Sequence, residues 1–279
     1  MFGTRSAMLT LYGDYVRHKG GEIGIGSLIK LLSNFGLSEQ AIRSAVSRMC
    51  RMNLLNVRRS GAKSYYSLTE DGFILLDRGA RRIFQRKSKN WNGLWSTVVY
   101  FIPEEKRKAR DRLRQELSWL GYGPLSTATW ISPHDLTWEV EEIMEKLEIK
   151  EHVQLFQSRH LGHSDARNII CRGWDLERIH KKYTDFVEEY SPKLKDHQRR
   201  LQDGESIEPS ECFVERFKLI DEYRKLPFLD PDLPLEMLPD NWLRPRASAL
   251  FDEFHDLLTQ QANDYFDSVS KDYQESNNK

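Results

Sequence analysis

Gln40, Arg43, Ser44, Ser47, Arg48 and Arg51 carry the chemistry this sequence displays most clearly. At about 100° of rotation per helical residue the six fall within an arc of about 140°, so one helix face holds them all. Cations, an amide and small hydroxyls on one face are the side chains that contact base edges and phosphates in a major groove. Ile42, Ala45, Val46 and Met49 recur at helical spacing and predict the buried stripe opposite. Ser38 is expected to cap the helix by accepting an amide proton of the first turn, at the edge of the same polar face. Glu39 sits where the helix dipole tolerates a carboxylate. The helix is expected to run to about Met52.

A second cationic group follows. Leu54–Arg59 and Lys63–Leu68 read as two strands joined by Ser60-Gly61-Ala62, with Gly61 free to take positive φ. Arg58, Arg59 and Lys63 then cluster at a hairpin tip, ready for phosphate or a minor groove. The plainer reading is a solvated cationic face on an ordinary α/β domain. Helix, turn, helix and basic hairpin in that order favour a winged helix-turn-helix.

Other reactive residue types fall into no working pattern. His160 and His163, with Asp165 or Cys171 nearby, could make a metal pair, but Gly162 between them argues for a polar loop. Glu139, Glu141, Glu142, Glu145 and Glu148 spread around one helix instead of converging in a cleft, so a solvated face is the better reading. The chain contains no phosphate-cradling glycine loop and no Gly-x-Ser-x-Gly elbow. Neither a catalytic residue nor a metal ligand is expected. Trp91, Trp95, Trp119, Trp130 and Trp138 could wall an aryl ligand, although core packing is the commoner use.

The elements that must position the polar helix are legible from periodicity. The first helix is expected over Thr4–His18, ended by Gly20-Gly21, and the second over Ile25–Phe35, closed by Gly36. A helix from Thr69 through Phe84 follows the hairpin and ends in a basic run with Arg86, Lys87 and Lys89. Ser88–Gly93 reads as a linker. Beyond it come strands at Leu94–Ile102, Pro124–Ile131 and His152–Gln157, with helices at Glu104–Leu120 and Trp138–Leu147. That order suggests a ferredoxin-like unit, completed by Asn168–Cys171 or a neighbouring edge. From Trp174 the chain turns helical, is interrupted by Pro227, Pro231, Pro234, Pro239 and Pro245, and resumes over about Arg246–Tyr265. The fold class is therefore α+β: a winged helix-turn-helix at 1–88, a ferredoxin-like dimerisation or sensing domain at 94–172, a helical domain at 173–266 and a disordered tail at 267–279.

Charge is divided along the chain. Residues 1–90 hold 16 Lys+Arg against 6 Asp+Glu, while residues 91–279 hold 26 against 36, so a net charge of zero conceals a basic N-terminal third. The basic part fits a polyanion, and the acidic remainder should face away from it. Three cysteines without a Cys-x-x-Cys pair suit a reducing cytoplasm, and no segment reads as a leader or a membrane span.

Several stretches resemble the PaaX family of phenylacetic-acid-catabolism repressors. They are Leu11-Tyr12-Gly13-Asp14, Gly20-Gly21-Glu22-Ile23, Gly26-Ser27-Leu28, Arg43, Arg48, Arg58, Gly61, Tyr66-Ser67-Leu68, Trp91-Asn92-Gly93-Leu94-Trp95 and the run from Asp230 to Trp242. The resemblance implies a dimeric repressor that leaves its double-stranded DNA operator on binding an aryl-acetyl-CoA thioester, phenylacetyl-CoA in the best-known members. It names no pocket; Trp130, Arg159 and Arg167 are candidate effector contacts because an aryl group wants an aromatic wall and phosphates want arginine. No cofactor is expected. The middle unit also resembles the ferredoxin-fold nucleases of CRISPR adaptation, which place an aspartate at the end of the first strand. Phe101 stands at that position, and its side chain can neither bind magnesium nor take a proton. A structural nucleic-acid-binding protein without small-molecule sensing, and a metal-dependent nuclease, are the other function classes left open.

Overall fold

A computed structural model describes residues 3–84, 91–161 and 166–275, apart from the side chains of 82, 166, 167 and 271–275. The architecture is α+β, with helices around two antiparallel sheets. The N-terminal elements are α1 (Thr4–Asp14), β1 (Glu22–Gly24), α2 (Ile25–Ser33), α3 (Glu39–Arg51), β2 (Leu55–Ser60), β3 (Lys63–Leu68) and α4 (Glu70–Phe84). Next come β4 (Trp95–Tyr100), α5 (Arg107–Leu120), β5 (Gly123–Pro124), β6 (Thr129–Ser132), α6 (Thr137–Lys146) and β7 (Val153–Ser158). The chain closes with α7 (Ala166–Gly173), α8 (Leu176–Gln202), α9 (Pro209–Tyr223), α10 (Lys225–Leu229) and α11 (Arg244–Glu275).

Packing groups these elements into two compact units, one within residues 1–85, 185–225 and 245–279, the other within 86–184 and 226–244. The C-terminal helices are thus shared between two cores, a grouping that no local sequence pattern announces. In the first unit, the N-terminal helices bury Met8, Leu11, Leu28, Leu31 and Leu32. Aromatic contacts fasten them to the C-terminal helices: Tyr15 stacks on Phe266 at 5.2 Å and Phe35 on Phe217 at 4.1 Å. Burying such rings supplies both area and preferred ring geometry.

The second unit has strand order β5-β6-β4-β7, all antiparallel, in the chain sequence strand–helix–strand–strand–helix–strand. Val98, Leu113, Leu117, Val140 and Ile149 form its fully buried centre. The 226–244 segment is tied in through Asp230, which is buried and accepts from the Tyr183 hydroxyl at 2.6 Å and from the Asp232 amide at 2.7 Å.

Four sequence expectations change. The strand expected over Pro124–Ile131 is two, β5 and β6, parted by a turn at 125–128 in which the Leu125 amide donates to the Thr129 carbonyl at 2.8 Å. Asn168–Cys171 is helical within α7, and the two-residue edge strand β5 completes the sheet. Ile169 and Ile170 are adjacent, so a strand would point them to opposite faces while a helix keeps them close together. The expected disordered tail from Asp267 is instead helical as far as Glu275, because Ala262, Phe266 and Val269 continue the buried stripe. The first helix stops at Asp14: Tyr15 leaves helical geometry, and Val16–His18 form a separate 3₁₀ turn.

Candidate nucleic-acid interface

The α3 helix begins as its sequence dictates. Ser38 is extended at the N-cap, and its hydroxyl accepts from the Ala41 amide at 3.2 Å. Gly36, at φ +72°, makes the turn from α2 that aims α3 across it. Ile42, Ala45, Val46 and Met49 are buried beneath. At the other end Asn53 takes the left-handed conformation at φ 55°, and the Leu54 amide returns to the Met49 carbonyl.

With that stripe buried, Gln40, Arg43, Ser44, Ser47, Arg48 and Arg51 are all exposed and line one shallow groove with Glu39. Ser38 is exposed at its edge. Arg43 is held by Glu39 one turn back, Nε to Oε1 at 2.8 Å. Among the described residues, Arg48 and Arg51 meet no carboxylate. The groove therefore presents two unneutralised guanidinium groups beside amide and hydroxyl hydrogen-bonding groups.

The hairpin beside it is a ladder running from Leu55 opposite Leu68 to Ser60 opposite Lys63, with Gly61 at φ +60° in the turn. A third strand unseen in the sequence reading joins it. β1 pairs with β3, placing Glu22 opposite Ser67 and Gly24 opposite Tyr65. Tyr12 on α1 donates to the Tyr66 carbonyl at 3.2 Å. Burial pushes the Tyr12 phenol far above its ordinary range, so it stays protonated and remains a donor.

β1 also changes the chemistry of the tip. Arg58 Nε lies 2.9 Å from Glu22 Oε1, and Arg58 Nη2 lies 2.5 Å from Oε2. The guanidinium also covers the Tyr65 ring at 4.6 Å. Hydrogen bonding to Arg58 holds the Glu22 carboxyl below its usual range and raises the arginine in turn. Arg59 is exposed and meets no carboxylate among the described residues; Lys63 is half-buried. The three basic residues at the tip are thus unequal, which their spacing could not reveal. Gly20-Gly21 before Glu22 was the only available sign of a strand start.

Elsewhere the candidate residues separate. Trp130 lies on β6 inside the second unit's core, 9% exposed. Arg159 is exposed just past β7. The Arg167 side chain, His163, Asp165, Arg86, Lys87 and Lys89 lie outside the described residues, as does the first half of the expected linker, 88–90. Phe101 follows β4 and is 90% exposed, a phenyl ring where a metal site would need a carboxylate. Among the described residues, no group of three or more His, Cys, Asp or Glu could hold a metal ion, and no helix is long and apolar enough to cross a membrane.

Family comparisons divide the chain into three consecutive parts. Residues 3–72 match the model of a PaaX-like protein, 88–170 the PaaX protein central Cas2-like domain and 174–268 the PaaX-like protein C-terminal domain. The transcriptional repressor PaaX of Escherichia coli strain K12 is 28% identical over 250 residues, covering 88% of this chain and 77% of that protein. The fold is similar to that of an uncharacterised protein from Mycobacterium tuberculosis, with a TM-score of 0.61 and 20% identity, covering 95% of this chain and 98% of the other.

Proposed function

The chain belongs to the PaaX family, and on that premise we propose that it is a cytoplasmic transcriptional repressor that reads an operator through α3 and releases it on binding an aryl-acetyl-CoA thioester. The observation that carries the reading is the exposed α3 face beside a basic hairpin. That arrangement suits a winged helix-turn-helix, with α3 in the major groove and the β2–β3 tip on flanking phosphate or in the minor groove. Arg43 and Arg48 read base edges; Arg58, Arg59 and Lys63 hold the backbone.

One recognition helix reads only a few base pairs, so two copies act together as a two-fold dimer on half-sites about one helical turn apart. The βαββαβ middle region serves as a ferredoxin-like pairing and sensing module, followed by the helical C-terminal region. Phenylacetyl-CoA or a close relative is the effector. Trp130, Arg159 and Arg167 are its candidate contacts. It acts by its differential affinity for the DNA-competent and DNA-incompetent arrangements, and the coupling is reciprocal.

The test is binding to operator fragments with and without a panel of acyl-CoA thioesters, accompanied by sedimentation. Release of about 5–150-fold by an aryl-acetyl thioester is expected, in line with common coupling energies. Unaltered operator affinity across the panel leaves a repressor without this effector. A micromolar monomer with an asymmetric footprint removes the dimer.

A further inference from the structure

A cavity of about 420 Å³ lies inside the first unit, walled by the end of α1, the 3₁₀ turn after it, α4, α9 and α11. Its lining is predominantly basic: Arg17, Lys19, Arg81 and Arg216 against Asp14 and Asp77. Arg81 is paired with Asp77 at 2.9 Å and Lys19 with Asp267 at 2.7 Å. Arg17 meets no carboxylate among the described residues; its Nε donates to His18 Nε2 at 2.9 Å. Burial and the neighbouring Arg17 cation lower the His18 imidazole below its ordinary range, so it serves as a neutral acceptor and leaves the arginine's charge unbalanced.

Arg216 stands behind it. It is 4% exposed on α9, with Nη2 3.1 Å from Asp14 Oδ2 and 3.0 Å from His255 Nε2. Its Nε, the hydroxyl of Tyr15 and Asp14 Oδ2 are buried without a hydrogen-bond partner, and the Tyr15 ring lies 5.0 Å from the Arg216 guanidinium carbon. Asp14 neutralises Arg216, whose Nη1 also donates to Asn263 Oδ1 at 3.4 Å, so the uncompensated charge at the cavity is that of Arg17. A surplus cation, Arg17, at the mouth of a predominantly basic cavity calls for an oxyanion, with the Arg216 guanidinium and the Tyr15 phenol behind it. The volume is at the small end of the roughly 300–1,000 Å³ common for ligand pockets, enough for a compact acid or one phosphate-bearing end of a larger molecule.

We propose that this cavity binds a carboxylate or phosphate group through Arg17, Arg216 and Tyr15, and that its occupancy is coupled to the DNA-reading elements. The route is short. Arg17 lies in the 3₁₀ turn Val16–His18; two glycines later the chain enters β1, where Glu22 holds Arg58 of the hairpin. An anion drawing on Arg17 therefore pulls at the strand that sets the hairpin's charge. The coupling rests on the DNA-binding reading above; the binding site does not.

Calorimetry on the full chain with inorganic phosphate, phenylacetate, coenzyme A and phenylacetyl-CoA tests it, alongside operator affinity without any of them. At least one probe should bind the wild type and bind Arg17→Gln ten-fold or more weakly. Phenylacetate alone indicates a free carboxylate; phosphate and coenzyme A together indicate a phosphate end. Tyr15→Phe, which removes only a buried hydroxyl that has no hydrogen-bond partner, is the second variant should Arg17→Gln lower the melting temperature. No heat from any probe at millimolar concentration, or affinities within two-fold in the variants, overturns the site. If phenylacetyl-CoA releases operator equally from wild type and Arg17→Gln, the effector reading stands and this site falls. Arg17-dependent binding with no effect on operator affinity keeps the site and removes its coupling.

Discussion

Arg58 on β2 and Glu22 on β1 form a two-point ion pair, 2.9 and 2.5 Å, at the side of the basic hairpin. A guanidinium so held must exchange one anion for another before it can grip a phosphate. Glu22→Gln should therefore strengthen binding to a random duplex and make log K against log salt steeper by about one unit. Anisotropy titrations across a salt series read this directly; an unchanged slope means that Arg58 takes no part. The pair also has a pH sign. Glu22 is depressed by Arg58, so the interaction is full above the usual carboxylate range and is lost as pH falls through the lowered value. The Glu22→Gln phenotype should accordingly vanish in acid.

The α3 face predicts two distinct losses. Arg48→Ala should cost about 1–3 kcal/mol on operator and relax preference at one base position, while Arg59→Ala should weaken all duplexes alike. Competition with operators mutated one position at a time separates them. Equal losses on operator and random DNA for Arg48→Ala would remove it from base readout.

Gly72, in the first turn of α4, sets a local rule against a tertiary one. Replacing a helical glycine by alanine ordinarily stabilises by about 0.4–1 kcal/mol when the backbone permits. Here the added Cβ would stand 2.2 Å from the Leu54 carbonyl oxygen. That carbonyl accepts from the Thr69 amide, and Thr69 Oγ1 in turn accepts from the Gly72 amide at 3.0 Å, so the neighbour cannot yield freely. Gly72→Ala should destabilise by about 1–3 kcal/mol in urea unfolding, as overpacking does. A gain in stability would show that the turn opens at little cost.

Asp14 and Arg216 are joined across the first unit at 3.1 Å, both largely buried. Arg216→Met alone leaves Asp14 buried without its cation and should cost about 3–5 kcal/mol. Arg216→Met with Asp14→Leu should recover most of that loss, since a well-packed apolar pair often equals a buried ionic one. Denaturant melts of the single and double variants decide it, and a double variant as weak as the single refutes the pairing account.

What the sequence determined was local and periodic. The cap at Ser38, the buried Ile42–Met49 stripe, the polar arc opposite and the turn at Gly61 all follow from side-chain spacing and backbone preference within a few residues. Alternating strand and helix patterns likewise revealed most of the middle sheet. Three-residue β1 was invisible because so short a strand has almost no period, and its existence depends on finding β3 some forty residues later. The edge strand β5 carries no more signal than β1, and the adjacent isoleucines of α7 could be assigned only against their surroundings. Tertiary structure alone decided that Glu22 engages Arg58, that Asp14 meets Arg216 and His255, and that the C-terminal helices divide between two cores. Ion pairs and cavity walls are made by residues far apart in the chain; their distances are fixed by packing, and packing is settled only when every buried face has found its partner.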